Sequence, residues 1–191
     1  MEKTIVFIDE GFLDKLSLFL GNQKRLKFDK HNFAKTISQK ENLFCEHLFY
    51  YTAPPFQGTP PTNDERKRKI GYDRFIESLS RNKKITIREG RCQKTFDKNG
   101  NAIFKQKGVD TLITIDLGHL KDDFPEIKTI ILVSSDTDFC PAIKDIKERN
   151  KIEVILYTYF DKKRNSKFSL SNELISCCSK WKKIEKENFK Q

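Results

Sequence analysis

Apolar residues along this chain alternate between two periodicities. Ile5, Val6, Phe7 and Ile8 form an unbroken run within residues 3–8, the pattern of a strand buried on both faces of a sheet. Phe12, Leu13, Leu16, Phe19 and Leu20 then follow helical spacing over residues 12–20, and Gly21-Asn22 is a stop signal. Phe33 and Ile37 suit a short helix after Asp29, and residues 43–52 read as the next strand. The Pro- and Gly-containing stretch 53–62 is a loop that ends in Thr62 or Asn63 as a helix N-cap. Tyr72, Phe75, Ile76 and Leu79 sit at i, i+3, i+4 and i+7 of the helix that follows.

Lys84 to Cys92 alternates as a strand, and Asn99-Gly100 between Thr95-Phe96 and Ile103-Phe104 signals a hairpin with a two-residue loop. A helix from Val109, a strand over 128–134, a helix over 138–149, a strand over 152–159 and a last helix near 170–184 complete the chain. Strand and helix alternate almost throughout. That alternation predicts an α/β fold, a three-layer sandwich around a mainly parallel sheet. No repeat or low-complexity tract interrupts it, so residues 1–191 read as one domain with a hairpin insertion at about 84–106.

Composition changes the picture mainly through charge. The net charge is +10, and residues 65–107 alone hold 14 Lys/Arg against 5 Asp/Glu, so nearly all of the excess lies in one central stretch. Concentrated basicity points to a polyanionic partner. No apolar run reaches the roughly 18 residues of a membrane span. The first strand starts within a few residues of Met1, giving the expectation of no signal peptide and a cytoplasmic location. The five cysteines have no Cys-x-x-Cys spacing, and His31, His47 and His119 adjoin no Cys pair. They read as reduced thiols rather than a zinc site.

Candidate chemistry lies where apolar runs end in acids. Asp9 closes the first run, Asp136 follows Ile130 to Ser135, Asp138 comes two residues later, and Asp110 opens the helix from Val109. Carboxylates just past parallel strands stand at the rim where such sheets place their sites. The bland alternative is capping, for Asp110 at a helix start and for Asp136 and Asp138 within Ser134-Ser135-Asp136-Thr137-Asp138. Asp116 falls in the apolar stripe of Val109, Leu112, Ile113, Leu117 and Leu120, and reads first as a hydrogen-bonded core acid. Several acids brought together would repel unless a cation joined them, and oxygen-only donors favour Mg²⁺ or Mn²⁺.

These residues resemble the NYN (LabA-like) branch of the PIN-like nuclease superfamily. The resemblance rests on Val6-Phe7-Ile8-Asp9, on Lys107-Gly108-Val109-Asp110-Thr111-Leu112 with Asp116-Leu117, and on Ile131-Leu132-Val133-Ser134-Ser135-Asp136-Thr137-Asp138-Phe139. It implies a PIN-like sheet of order 3-2-1-4-5 and a divalent-metal nuclease acting on RNA, single-stranded or structured. Asp9, Asp110 and Asp136 match the metal-binding acids, Asp138 matches the nearby acid, and Asp116, Ser134 and Ser135 take supporting places. The chain departs from the family pattern at Glu10-Gly11-Phe12, where small or amide residues are usual, and at Ser135, where Gly is common.

The hairpin carries Arg88, Arg91, Lys94, Lys98 and Lys105 and runs straight into Lys107 and Asp110, so it reads as a phosphate-contacting track tethered beside the acids. Tyr50, Tyr51, Phe56 and Tyr72 are candidates to stack unpaired bases. A non-catalytic nucleic-acid-binding or regulatory module that keeps the fold is the alternative, supported by the Glu10-Gly11-Phe12 departure. A phosphatase-like aspartate enzyme is disfavoured, because Asp9-Glu10-Gly11 lacks a second Asp two positions on. A homodimer is compatible with the sequence.

Overall fold

The computed structural model of the protein describes residues 1–161, 168 and 171–190. Its central element is β1 (Glu2–Asp9), in which Ile5, Val6, Phe7 and Ile8 are fully buried. β2 (Leu43–Thr52) pairs along one edge of β1 and β6 (Thr129–Val133) along the other, both parallel. Outward from these lie β3 (Ile85–Glu89), β7 (Glu153–Thr158) and β8 (Lys180–Lys183), giving a six-stranded parallel sheet of order β3-β2-β1-β6-β7-β8. The expected 3-2-1-4-5 order is present among the first five of these strands, and β8 extends it at one edge. A separate antiparallel ribbon is formed by β4 (Arg91–Phe96) and β5 (Ala102–Lys107).

Alternation along each strand sorts side chains into two cores. Ile5, Phe7, Phe49, Tyr51, Ile130 and Leu132 pack on one face against α4 (Val109–Gly118), α6 (Cys140–Asn150) and α7 (Asn172–Cys177). Val6, Ile8, Leu48, Tyr50, Ile131 and Val133 pack on the other against α1 (Glu10–Leu20) and α2 (Lys30–Lys40). This is the three-layer sandwich that the alternation predicts. Local signals fix the helix starts. Asp9 and Asp29 accept the Phe12 and Asn32 amides, and Thr62 with Glu65 forms a capping box for α3 (Asn63–Ser80). A four-residue helix, α5 (Leu120–Asp123), follows α4.

Four expectations change. The strand expected over 84–92 divides at Gly90, with β3 joining the main sheet and β4 leaving it. A Cβ at Gly90 would stand 2.5 Å from the Lys107 carbonyl oxygen, so the crossing of the ribbon's two legs needs glycine there. The inserted ribbon therefore spans 91–107 rather than 84–106. Its turn is longer than two residues: the Asp97 amide bonds the Asn101 carbonyl, the Asp97 carboxylate accepts the Asn99 and Asn101 amides, and Gly100 takes φ 80°. The helix expected near 170–184 is instead the short α7 followed by β8, and residue 170 lies outside the described residues. Lys180-Trp181-Lys182-Lys183 is exposed at every position, the composition of a protected sheet edge. Finally, of the four apolar positions on α3 only Leu79 is buried, and Phe75 is half-open to solvent.

Candidate active site

The sheet order reverses between β1 and β6, since the chain leaves β1 toward β2 and leaves β6 toward β7. The connections therefore part at the carboxyl ends of these strands and leave a crevice there. Asp9 stands at that end of β1. Its Oδ1 accepts the Phe12 amide at 3.2 Å, and its Oδ2 accepts the Ser134 hydroxyl at 3.0 Å. Ser134 is fully buried just past β6, and its Oγ in turn accepts the Asp136 amide at 3.2 Å. One hydroxyl thus ties together the two strand ends. Asp136 Oδ1 accepts the Asp138 amide at 2.9 Å and caps the 3-10 turn Thr137–Phe139, which the buried Phe139 ring anchors.

Asp110 enters from the first turn of α4, whose preceding residue, Gly108, is left-handed with φ 81°. Asp9, Asp110 and Asp136 then line one open cavity of ≈ 710 Å³ with Glu10, Lys15 and Ser135. Its opposite wall is the ribbon, through Phe104, Lys105 and Gln106. Gly11 lets that wall close in, because a Cβ there would stand 2.8 Å from Gln106 Oε1 and 3.3 Å from Asp9 Oδ1.

Electrostatics mark the cleft as short of positive charge. Desolvation pushes the Asp9 carboxyl above its usual value, against the lowering effect of the Phe12 and Ser134 hydrogen bonds, and Asp110 raises it further. Asp110 is raised by desolvation first, then by the charges of Asp136 and Asp138, while Lys107 and Lys15 pull it down. Its side chain is exposed to solvent, but the concave wall restricts its hydration. Glu10 is pushed up to about 7 by burial and by Asp14, with Lys30 opposing and Asp9 adding to the rise.

The donor set suits a hard divalent cation: carboxylate oxygens only, mutually repelling, at the rim of a buried sheet. Each hydrogen-bonded oxygen of Asp9 and Asp136 keeps a second lone pair free of the protein hydrogen bonds described above. Among the described residues, no three Asp, Glu, His or Cys side chains are gathered into a ready-made metal cage. The acids share the cleft and would have to draw together around an ion.

Other expected site residues go elsewhere. Asp116 is buried; its Oδ2 accepts the Tyr51 hydroxyl at 2.9 Å and Arg88 Nε at 3.0 Å, and its Oδ1 accepts Arg88 Nη2 at 2.8 Å. Arg88 is thereby engaged in an internal ion pair rather than standing free on the ribbon. Tyr50 and Tyr51 are buried in the two cores and present no face to a base; the Tyr72 hydroxyl bonds Glu89. Lys107 adjoins Asp110, Lys105 lines the cleft, and Arg91, Lys94 and Lys98 are exposed on the ribbon. Glu10, Lys15, Phe104, Gln106 and Phe168 line the cleft without having been expected there. Glu10 and Asp14, one turn apart on α1 just past Asp9, are the sequence signal that could have found part of this set.

A second hollow of ≈ 400 Å³ lies beside α2 and α3, where His31, Asn82 and Phe75 are among its lining residues. Asn82 bonds His31 Nδ1, while His31 Nε2 has no hydrogen-bond partner among the described residues. It lies away from the strand ends that carry the acids.

A family model described as the NYN domain matches residues 3–184. The crystal structure of a protein of unknown function from Vibrio parahaemolyticus superposes with a TM-score of 0.57 at 18% identity, covering 98% of this chain and 95% of that one. That likeness speaks to the fold. A PLP-bound putative aminotransferase from Clostridium difficile overlaps with a TM-score of only 0.23 at 12% identity, over 82% of this chain and 38% of that one, and bears on nothing further. None of the curated proteins matches the chain.

Proposed function

This chain belongs to the NYN domain family, within the PIN-like nuclease superfamily, and from that premise we propose that it is a divalent-metal-dependent ribonuclease. The observation that carries the reading is the convergence of Asp9, Asp110 and Asp136 on one cleft at the reversal point of the sheet, with their charges only partly offset by Lys15 and Lys107. Asp9, Asp110 and Asp136 would hold Mg²⁺ or Mn²⁺, and Asp138 would add negative potential beside them. Bound there, such an ion supplies Lewis acidity and lowers the pKa of a coordinated water.

The protein's own residues do the positioning. Ser134 donates to Asp9 and accepts from the Asp136 amide, so it fixes the two acids relative to each other. Lys15 and Lys105, on opposite walls of the cleft, offer charge to the phosphates on either side of the scissile bond. Lys107 moderates the repulsion at Asp110.

A second reading, a nucleic-acid-binding module without turnover, is favoured by one observation. Phe12 occupies a position where the family commonly has an amide, so at this point the cleft is lined by a largely buried ring that offers no hydrogen bond. A cleavage assay separates the two. Wild-type protein with Mg²⁺ or Mn²⁺ is expected to cut RNA oligonucleotides and to stop in EDTA. Binding without cleavage under every metal condition would leave only the second reading.

A further inference from the structure

The ribbon formed by β4 and β5 exposes more aromatic surface than its own folding requires. β5 is exposed along its whole length, Phe96 is 65% and Phe104 50% open to solvent, and neither ring belongs to the two sheet cores. In the ribbon register Lys94 stands opposite Phe104 and Phe96 opposite Ala102, so strand alternation turns Phe96, Lys94, Phe104 and Gln106 to one side. That side faces the acids, because Phe104 and Gln106 line the cleft of Asp9, Asp110 and Asp136.

Phe56, from the loop after β2, meets this surface. Its ring centroid is 5.7 Å from that of Phe104 with the planes tilted by 50°. Lys94 Nζ lies 5.8 Å from the Phe56 centroid and 5.4 Å from that of Phe96. The result is an aromatic patch with a cation at its centre, leading into the acidic cleft. Such a surface suits flat apolar rings attached to negative charge. The ribbon's only acid, Asp97, is taken up by the amides of its own turn, whereas Arg91, Lys94, Lys98, Lys105 and Lys107 leave it strongly positive.

We infer that Phe104, flanked by Phe56 and Phe96, is a base-stacking residue that seats an unpaired nucleobase beside the acidic cleft, with Lys94 on the adjoining phosphate. The inference rests on the reading that this cleft receives nucleic acid, and it adds how the strand is selected. Stacking is indifferent to sequence but needs an open base face, which a duplex withholds. Phe104 therefore determines specificity for unpaired strands, whereas the lysines serve any phosphate backbone.

The test measures binding in EDTA, so that turnover plays no part. Fluorescence anisotropy with labelled oligouridylate, the same strand made abasic, and a blunt RNA duplex of equal length is compared for wild type, Phe104→Ala and Phe104→Trp. Phe104→Ala is expected to weaken oligouridylate binding roughly 5- to 100-fold and duplex binding less than about twofold, with Phe104→Trp restoring it. The abasic strand should bind wild type as weakly as oligouridylate binds Phe104→Ala. Equal losses on single strand and duplex, no loss at all, or full affinity for the abasic strand would overturn the inference. So would a wild-type dimer that becomes monomeric in Phe104→Ala with RNA affinity intact, since the patch would then be a self-association face. A protein that binds single strands through Phe104 but cleaves none of them supports the stacking site while removing the nuclease reading.

Discussion

Two acidic regions lie near the same end of the sheet and have opposite electrostatic fates. Asp116 is buried and fully answered, holding both donors of the Arg88 fork and the Tyr51 hydroxyl within 3.0 Å. Asp9, Asp110 and Asp136 line an open cleft and receive hydrogen bonds from neutral groups or none; the charge of Asp110 helps to raise the Asp9 carboxyl, and those of Asp136 and Asp138 help to raise Asp110. A buried carboxylate with its own guanidinium is a finished structural element. Carboxylates gathered at a rim, only partly offset by Lys15 and Lys107, keep a mutual repulsion that a cation would relieve. The difference separates scaffold from site more clearly than burial or sequence position does.

Substitutions that spare shape but remove charge should split the two regions. Asp136→Asn is expected to lower RNA cleavage by more than about 100-fold in a single-turnover assay while leaving the fold intact, since each catalytic effect of this kind is worth several kcal/mol. Asp116→Asn should change cleavage by less than about threefold at a temperature where the protein is folded. The reverse ranking would place the chemistry at the wrong acid.

Stability should also separate the two regions, with Glu10, which lines the cleft, set against Asp116. Desolvation raises Glu10 to about 7 from an ordinary 4.5, so the folded state holds this proton more tightly than the unfolded chain does. In EDTA, the contribution of Glu10 to stability should therefore fall as pH rises from about 4.5 to about 7, by up to about 3 kcal/mol, and level off above. His31 and His47, lowered by burial, contribute in the opposite sense. Urea unfolding of wild type and Glu10→Gln across that range checks the sign, because the stability of wild type relative to the variant should fall as pH rises. Asp116→Asn should cost about 2 kcal/mol at any pH in this window, a figure reduced because Arg88 is 43% exposed and can turn to water. An unchanged unfolding midpoint would mean that the buried pair is not structural.

Which parts were legible in the sequence follows the range of the interactions involved. Asp9 and Asp136 were visible because an unbroken apolar run specifies a central parallel strand, and the residue that ends it must stand at the sheet rim. β2 falls within its expected bounds for the same reason. β8 was hidden because an edge strand buries nothing, and its Lys-rich run resembles a solvated helix end. The pairing of Arg88 with Asp116 spans 28 residues and leaves no local trace, so a basic residue on a basic segment was read as free. Alternation continues through Gly90, which hid the point where the chain leaves the main sheet.

The most direct test of the account is the response of thermal stability to Mn²⁺ in wild type and Asp110→Asn. Asp110 is the cleanest probe, because among the described residues its carboxylate accepts no hydrogen bond, so the change removes charge without removing a cap. Its favourable place in the first turn of α4 is worth only about 0.3–1 kcal/mol. In EDTA the variant should melt at or above the wild-type temperature, as the repulsion from Asp136 and Asp138 is relieved. Mn²⁺ at a hundredfold excess over Kd should stabilise wild type by about 2.7 kcal/mol and the variant by far less. A variant that melts below wild type in EDTA, with Mn²⁺ shifting neither protein, would contradict the claim that these acids form a metal site.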